Sequence, residues 1–265
     1  MAESDRVSVD TIRVLGVDDR VLHGDLYRPP QPNGAGLLLV HGGSFMRGDR
    51  GQLRGYGIQL GRLGYTSLAC EYRLAPDNKW PAQIDDVHAA LARLHDLAPE
   101  LGVNRNAIAA WGNSSGGQLA LMAGALGEHP VAAVVAFYAA SDFLGPGARA
   151  HGAPEAMTFL LGEDVSEERV ASISPINYAR ADFPPTLLMT GNQDDQVDWR
   201  DSLAMYMRLV DVGARCELHI FEGAPHAFDA QPEYGPRCIE LAALFLGRHL
   251  LAAAAASSPP TEVAR

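Results

Sequence analysis

The segment NAIAAWGNSSGGQLALMAGAL, residues 106–126, constrains this chain most. An apolar run of strand length meets Gly112-Asn113-Ser114-Ser115-Gly116, and a run rich in small residues with helical character follows directly. A strand that turns into a helix within so few residues belongs to an alternating pattern in which each helix carries the chain back over a parallel sheet.

The alternation recurs on both sides. GLLLV (36–40), YTSLACEY (65–72), VAAVVAFYA (131–139), TLLMTG (186–191) and CELHIF (216–221) read as strands, with helices predicted over about 51–63, 81–96, 199–212 and 236–249. In PAQIDDVHAALARLHD, Pro81 suits a helix start, and Ile84, Val87, Leu91 and Leu94 recur every three or four residues along one face. Ahead of the sheet, VSVDTIRV and RVLHGDLY alternate around Gly16 and Asp18-Asp19 and predict an antiparallel hairpin. Residues 142–175 break the pattern with Gly, Pro and acidic residues around a helical MTFLLG, an excursion read as a small cap. The expected fold class is therefore α/β, with a mostly parallel central sheet, an antiparallel N-terminal hairpin, helices on both faces and a cap. A chain of 265 residues accommodates this as a single domain over 1–252, and residues 253–265 are expected to fray.

Composition narrows the partners. With 47% hydrophobic and 20% charged residues the chain can build a large core, and a net charge of -11 without clustered Lys and Arg argues against nucleic acid. Cys70, Cys216 and Cys238 are odd in number and lack the spacing of a zinc site or a redox pair, which predicts reduced, buried thiols. MAESDRVSVD has no basic stretch leading into an apolar core, and no apolar run reaches the roughly 18 residues of a membrane span. A cytoplasmic protein without a membrane partner is the expectation.

Three segments carry chemistry. In Gly112–Gly116 the turn forces Ser114 into a strained, exposed position, and the two glycines permit the close backbone approach that this requires. A Gly/Ser turn alone can do no more than cap a helix, so the other segments decide. HGGSF follows the strand GLLLV, where Gly43 and Ser44 can turn backbone N–H groups toward developing negative charge, with the N–H of Ser115 as a third donor. His41 precedes the nucleophile and is expected to brace this loop rather than act as a base. An acid and then a histidine should follow the serine, each just beyond a strand. TLLMTGNQDDQVD places Asp194 and Asp195 in one such loop, with Asp198 close behind, and CELHIFEGAPHAFD places His226 in the next. His219 falls within a strand and His151 within the cap, so His226 alone has both the order and the loop position. A carboxylate would hold the imidazole, which would take the proton of Ser114 as it attacks an acyl carbon. Activity should then decline as pH falls through roughly 6 to 7, where an ordinary imidazole takes up a proton.

With HGGSF, EYRLAP, GNSSGG, GNQDDQV and PHAF in this order, the chain resembles the hormone-sensitive-lipase-like branch of the α/β-hydrolases. Within that branch it is similar to small carboxylesterases, feruloyl and acetyl-xylan esterases, and kynurenine formamidases, from about Pro29 to Leu250. The resemblance implies Ser114, Asp194 and His226 as the triad, Asp194 lying three residues after Gly191 and three before Val197, while Asp195 and Asp198 stay open on spacing alone. It implies Gly43 and Ser44 in the oxyanion loop, a structural role for Tyr72 and Arg73, and no metal or organic cofactor. Two departures bear on specificity, since the loop reads HGGS rather than HGGG and Ser115 replaces the usual alanine.

The expected activity is that of a serine carboxylesterase on small or short-acyl esters. Phe45, Phe143, Phe159 and Phe228 are candidates for the substrate pocket, although Phe143, Met157, Phe159 and Leu160 serve equally well as the packing core of the cap. An arylformamidase on the same triad is the second reading. A non-catalytic ligand receptor is the third, and it would be expected to lose a triad member, whereas none is missing. The expected partner is a small-molecule ester. The oligomeric state is not set by the sequence, a homodimer being one option.

Overall fold

The computed structural model describes residues 6–15, 21–127, 129–146 and 153–251. Eight strands form one sheet: β1 (Ser8–Leu15), β2 (Val21–Arg28), β3 (Gly36–Val40), β4 (Thr66–Cys70), β5 (Ile108–Asn113), β6 (Ala133–Phe137), β7 (Thr186–Gly191) and β8 (Cys216–Phe221). Their spatial order is β1-β2-β4-β3-β5-β6-β7-β8. β1 pairs antiparallel with β2 and β2 antiparallel with β4, while every later pair is parallel. The antiparallel N-terminal pair and parallel body agree with the sequence pattern; the turn around Gly16 and Asp18-Asp19, the cap residue His151 and the tail 253–265 lie outside the described residues.

Strands β3 to β7 are buried on both faces, which is why their sequences are continuous apolar runs rather than alternating ones. The side chains still alternate between two cores. Leu38 and Val40 pack with Ile84, Val87, Leu91 and Leu94 of helix α2 (Ala82–Leu97). Leu37 and Leu39 pack on the opposite face with Leu60 of helix α1 (Arg54–Arg62) and with Ile239, Ala242 and Phe245 near the C-terminus. Each such leucine, fully removed from water, contributes about 1.5–3 kcal/mol. Helix α3 (Ser115–Leu126) joins the α2 side, as its small residues allow close seating on the sheet.

The excursion after β6 contains helices α4 (Ala153–Leu161) and α5 (Glu167–Ser172). The predicted helices over 199–212 and 236–249 correspond to α6 (Trp199–Asp211) and α7 (Gly235–Leu246), the latter continuing as a wider π turn to Leu251. Because β3 and β5 to β8 run parallel, the loops after Val40, Asn113, Gly191 and Phe221 all open at the same carboxyl edge, where α/β sheets gather ligand-facing groups.

Candidate active site

Ser114 stands between β5 and α3 with φ 55° and ψ −123°, a conformation that a residue with a Cβ adopts only under constraint, at a cost of about 1–3 kcal/mol. The constraint is visible in its neighbours. The Ser114 N–H donates to the Phe137 carbonyl at 2.9 Å, and its own carbonyl accepts from Gln118 N–H at 3.1 Å. A Cβ at Gly112 would lie 2.0 Å from the Gly116 carbonyl oxygen, and one at Gly116 would lie 2.2 Å from that of Val40. Both glycines are therefore demanded by backbone approach.

Two further strand ends complete a chain of contacts. His226 Nε2 lies 3.2 Å from Ser114 Oγ, and His226 Nδ1 lies 2.7 Å from Asp194 Oδ2. The other oxygen of Asp194 accepts from the N–H groups of Gln196 at 2.8 Å and Val197 at 2.9 Å, so the loop itself fixes the carboxylate. The Asp194 side chain is fully buried and the imidazole nearly so. Asp195 is exposed, and Asp198 caps α6 by accepting from Arg200 N–H. Of the three acids left open by spacing, Asp194 is the one brought to the imidazole.

The loop after β3 has three consecutive positive φ values, 126° at Gly43, 55° at Ser44 and 62° at Phe45. It closes on itself through the N–H groups of Met46 and Arg47, which both donate to the Gly43 carbonyl. His41 stacks on Tyr72 at 4.2 Å and its Nδ1 lies 2.9 Å from the Gly42 carbonyl; the Tyr72 hydroxyl donates to the His41 carbonyl. Burial holds His41 below the usual histidine range, in keeping with a neutral, bracing ring. Arg73 pairs with the buried Asp86. This loop lies directly against the serine turn, since a Cβ at Gly42 would be 2.7 Å from the Asn113 carbonyl oxygen and 3.1 Å from Ser114 Cβ. Ser115 is the first residue of α3, where backbone N–H groups lack helical partners and the helix dipole favours negative charge.

The four aromatic candidates separate. Phe45 and Phe143 are buried in one cluster with Tyr72, Met157 and Leu160. Phe159 is exposed, its carbonyl accepting from Lys79 Nζ. Phe228 is fully buried among Phe137, Phe221 and Tyr234, in the core beneath His226. Phe228 follows Ala227, which has φ 57°, and that local reversal turns the ring inward.

A buried polar cluster behind the serine was not foreseen from the sequence. Asp229, 8% exposed, receives hydrogen bonds from Tyr56 Oη, from Tyr138 Oη and, at 2.8 Å, from Asn113 Nδ2. Tyr138 packs edge-on against the His226 ring at 4.5 Å. Burial pushes the Asp229 carboxyl up to about 7, against which a hydrogen bond from its own backbone N–H acts. The signal in the sequence was an acid flanked by Ala227, Phe228 and Ala230, three residues after His226. Asp201 was missed too; it accepts from the N–H groups of Ser141 and Asp142 and is pushed up to about 7 by burial.

Cys70 and Cys238 are buried and Cys216 partly so; all three are free, and burial pushes each thiol up to about 12. Among the described residues no cluster of three or more His, Cys, Asp or Glu could hold a metal ion, and no helix is long and apolar enough to cross a membrane.

A serine on a strained strand-to-helix turn, an acid and a histidine on later strand ends, and this sheet order together define an α/β-hydrolase. Residues 25–209 match the family model BD-FAE, and the chain belongs to that family. It is 30% identical over 82% of its length to Esterase LipC, and 29% identical over 79% to the probable carboxylic ester hydrolase LipM, both of Mycobacterium tuberculosis. The chain spans 59% and 54% of those two relatives. Among solved structures it is similar to a bacterial heroin esterase, with 26% identity, a TM-score of 0.80, and coverage of 94% of this chain and 86% of that one. These similarities agree with the hormone-sensitive-lipase-like branch indicated by the sequence phrases.

Proposed function

We propose that the protein is a serine carboxylesterase that hydrolyses small or short-acyl esters through an acyl-enzyme at Ser114. One observation carries the reading: the contacts of 3.2 Å and 2.7 Å that link Ser114 Oγ through His226 to the buried Asp194. Asp194 orients the imidazole with Nε2 facing the serine and stabilises the imidazolium as it forms. His226 takes the Ser114 proton while Oγ attacks the ester carbonyl. Negative charge then develops on the carbonyl oxygen, which the N–H groups of Gly43, Ser44 and Ser115 receive; such a donor is worth about 3 kcal/mol in the transition state. His226 returns the proton to the leaving alcohol, and water repeats the sequence to release the acid.

The preference for small substrates rests on the excursion after β6. Phe143, Met157 and Leu160 are buried in the same core cluster as Phe45, which follows Gly43 and Ser44, and this packed apolar material supports a site for small substrates. The names of LipC, LipM and the heroin esterase support ester hydrolysis as the reaction class.

The test is hydrolysis of 4-nitrophenyl acetate, butyrate and octanoate, alongside an N-formyl aromatic amide, by the protein and by Ser114→Ala. Turnover of acetate and butyrate above octanoate, lost in the variant, is expected. Preference for the formamide would replace the esterase reading with an arylformamidase, and a folded protein inert on every substrate would overturn the hydrolase reading.

A further inference from the structure

The cluster around Asp229 joins four segments that are remote in sequence. Tyr56 belongs to α1, the helix that follows the Gly43–Ser44 loop. Asn113 is the residue immediately before Ser114 and the last of β5. Tyr138 follows β6, carries φ 35°, and donates its N–H to the Met189 carbonyl at 2.7 Å. Asp229 itself lies three residues beyond His226, in the short turn Phe228–Ala230.

One carboxylate thus gathers a donor from each of the other three. Asn113 Nδ2 also approaches Tyr138 Oη at 3.0 Å, which closes the network between the serine turn and the ring that abuts the imidazole. Ser114 and His226 stand on separate loops whose relative placement neither loop can fix alone. The network supplies a rigid link between them, through Asn113 on the serine side and through Tyr138 and the backbone from Asp229 on the histidine side.

We propose that Asp229 is a positioning residue, whose buried carboxylate holds Asn113 and Tyr138 so that His226 Nε2 stays within reach of Ser114 Oγ. It touches neither substrate nor reacting atoms. The inference rests on the hydrolase reading above, and it locates part of the precision of that site in a cluster that no step of the reaction uses.

Asp229→Asn is close in shape but places an amide N–H₂ where a carboxyl oxygen accepts, so at least one of the three donors loses its partner. Misplacement approaching 1 Å lowers rates by about 100-fold, so kcat should fall about 10- to 100-fold with KM within about twofold. Tyr138→Phe keeps the ring against His226 and loses only the hydroxyl; its kcat should fall about 3- to 10-fold, as the smaller part of the same displacement.

The experiment measures 4-nitrophenyl acetate kinetics, the rate of Ser114 labelling by a fluorophosphonate, and Tm for the wild type, Asp229→Asn, Tyr138→Phe and the double variant. The expected result is a kcat-only loss in each folded single variant, with the double variant no slower than Asp229→Asn. Unchanged kcat in a folded Asp229→Asn, or losses that multiply in the double variant, would overturn the proposal. If Asp229→Asn does not fold, Tyr138→Phe decides, since unchanged kcat there contradicts the link. An inert wild type would count against the esterase reading instead, and the labelling rates then test positioning on their own, with equal rates in wild type and variants overturning it.

Discussion

Gly42→Ala is the sharpest steric test of how the loop after β3 serves Ser114. Gly42 has no positive φ, so an alanine there is strained only by what its methyl meets. That methyl would lie 2.7 Å from the Asn113 carbonyl oxygen and 3.1 Å from Ser114 Cβ, both parts of the serine turn. Restoring an ordinary contact of about 3.4 Å moves loop and turn apart by about 0.7 Å. If a 1 Å misplacement costs about 100-fold, this one costs about 25-fold, or about 1.9 kcal/mol of transition-state stabilisation. In the proposed mechanism Gly43 and Ser44 donate to charge that exists only in the transition state, so the loss belongs in kcat and not in KM. Gly55→Ala is the matched control: it is exposed in α1, its methyl would have nothing within 4 Å, and it should gain roughly 0.5–1 kcal/mol of stability with kcat unchanged. Steady-state hydrolysis of 4-nitrophenyl acetate reads both variants. A folded Gly42→Ala with kcat within about twofold of wild type would show that the close approach does nothing for the reaction.

The adjacent acids should separate cleanly: Asp194→Asn is expected to lower kcat by about 10⁴-fold, because an amide at this place favours the imidazole tautomer that cannot take the serine proton, while exposed Asp195→Asn should stay within about twofold; the reverse order in the same kinetics would assign the acid to Asp195. The Asp201 carboxyl, pushed up to about 7 by burial, lies above its unfolded value of about 3.9. Its contribution to stability is therefore full below about pH 4 and is lost as pH rises through about 7. Asp201→Asn cannot ionise, so its Tm should fall less between about pH 5 and pH 8 than that of the wild type; parallel melting curves across that range would contradict the assignment. Leu38→Ala removes a fully buried side chain from between the sheet and α2 and should cost about 2–5 kcal/mol in urea denaturation; a cost below about 1 kcal/mol would mean that the core closes over the gap.

Much of this fold was legible because its signals are local. Ile84, Val87, Leu91 and Leu94 recur at helical spacing and all four are buried against the sheet. The continuous apolar strands announce burial on both faces, and the glycines of the serine turn announce close backbone approaches, of Gly112 to Gly116 within the turn and of Gly116 to Val40 at the end of β3. What was not legible depends on distant partners or on a single backbone reversal. Asp194 and Asp195 are neighbours of identical chemistry that spacing alone does not separate; the family resemblance implied Asp194, and the path of the loop supplies the reason, since Asp194 accepts the two N–H bonds and faces His226. Phe228 sits close enough to His226 in sequence to suggest a pocket wall, yet the left-handed Ala227 sends it into the core. Asp229 looks like an ordinary loop acid until Tyr56, Asn113 and Tyr138 converge on it from separations of 173, 116 and 91 residues. Asp201, likewise, resembles a first-turn helix acid, and its burial follows only from the return of residues 141 and 142 over the start of α6.

In the proposed reaction Ser114 carries the acyl group between the two halves. The direct test is acid quenching of the protein within milliseconds of mixing with 4-nitrophenyl acetate, followed by peptide mass analysis. An acetyl group is expected on the peptide containing Ser114, formed in a burst with nitrophenol release and absent from Ser114→Ala. Turnover with no label on that peptide, or a label at another residue that survives Ser114→Ala together with activity, would contradict it.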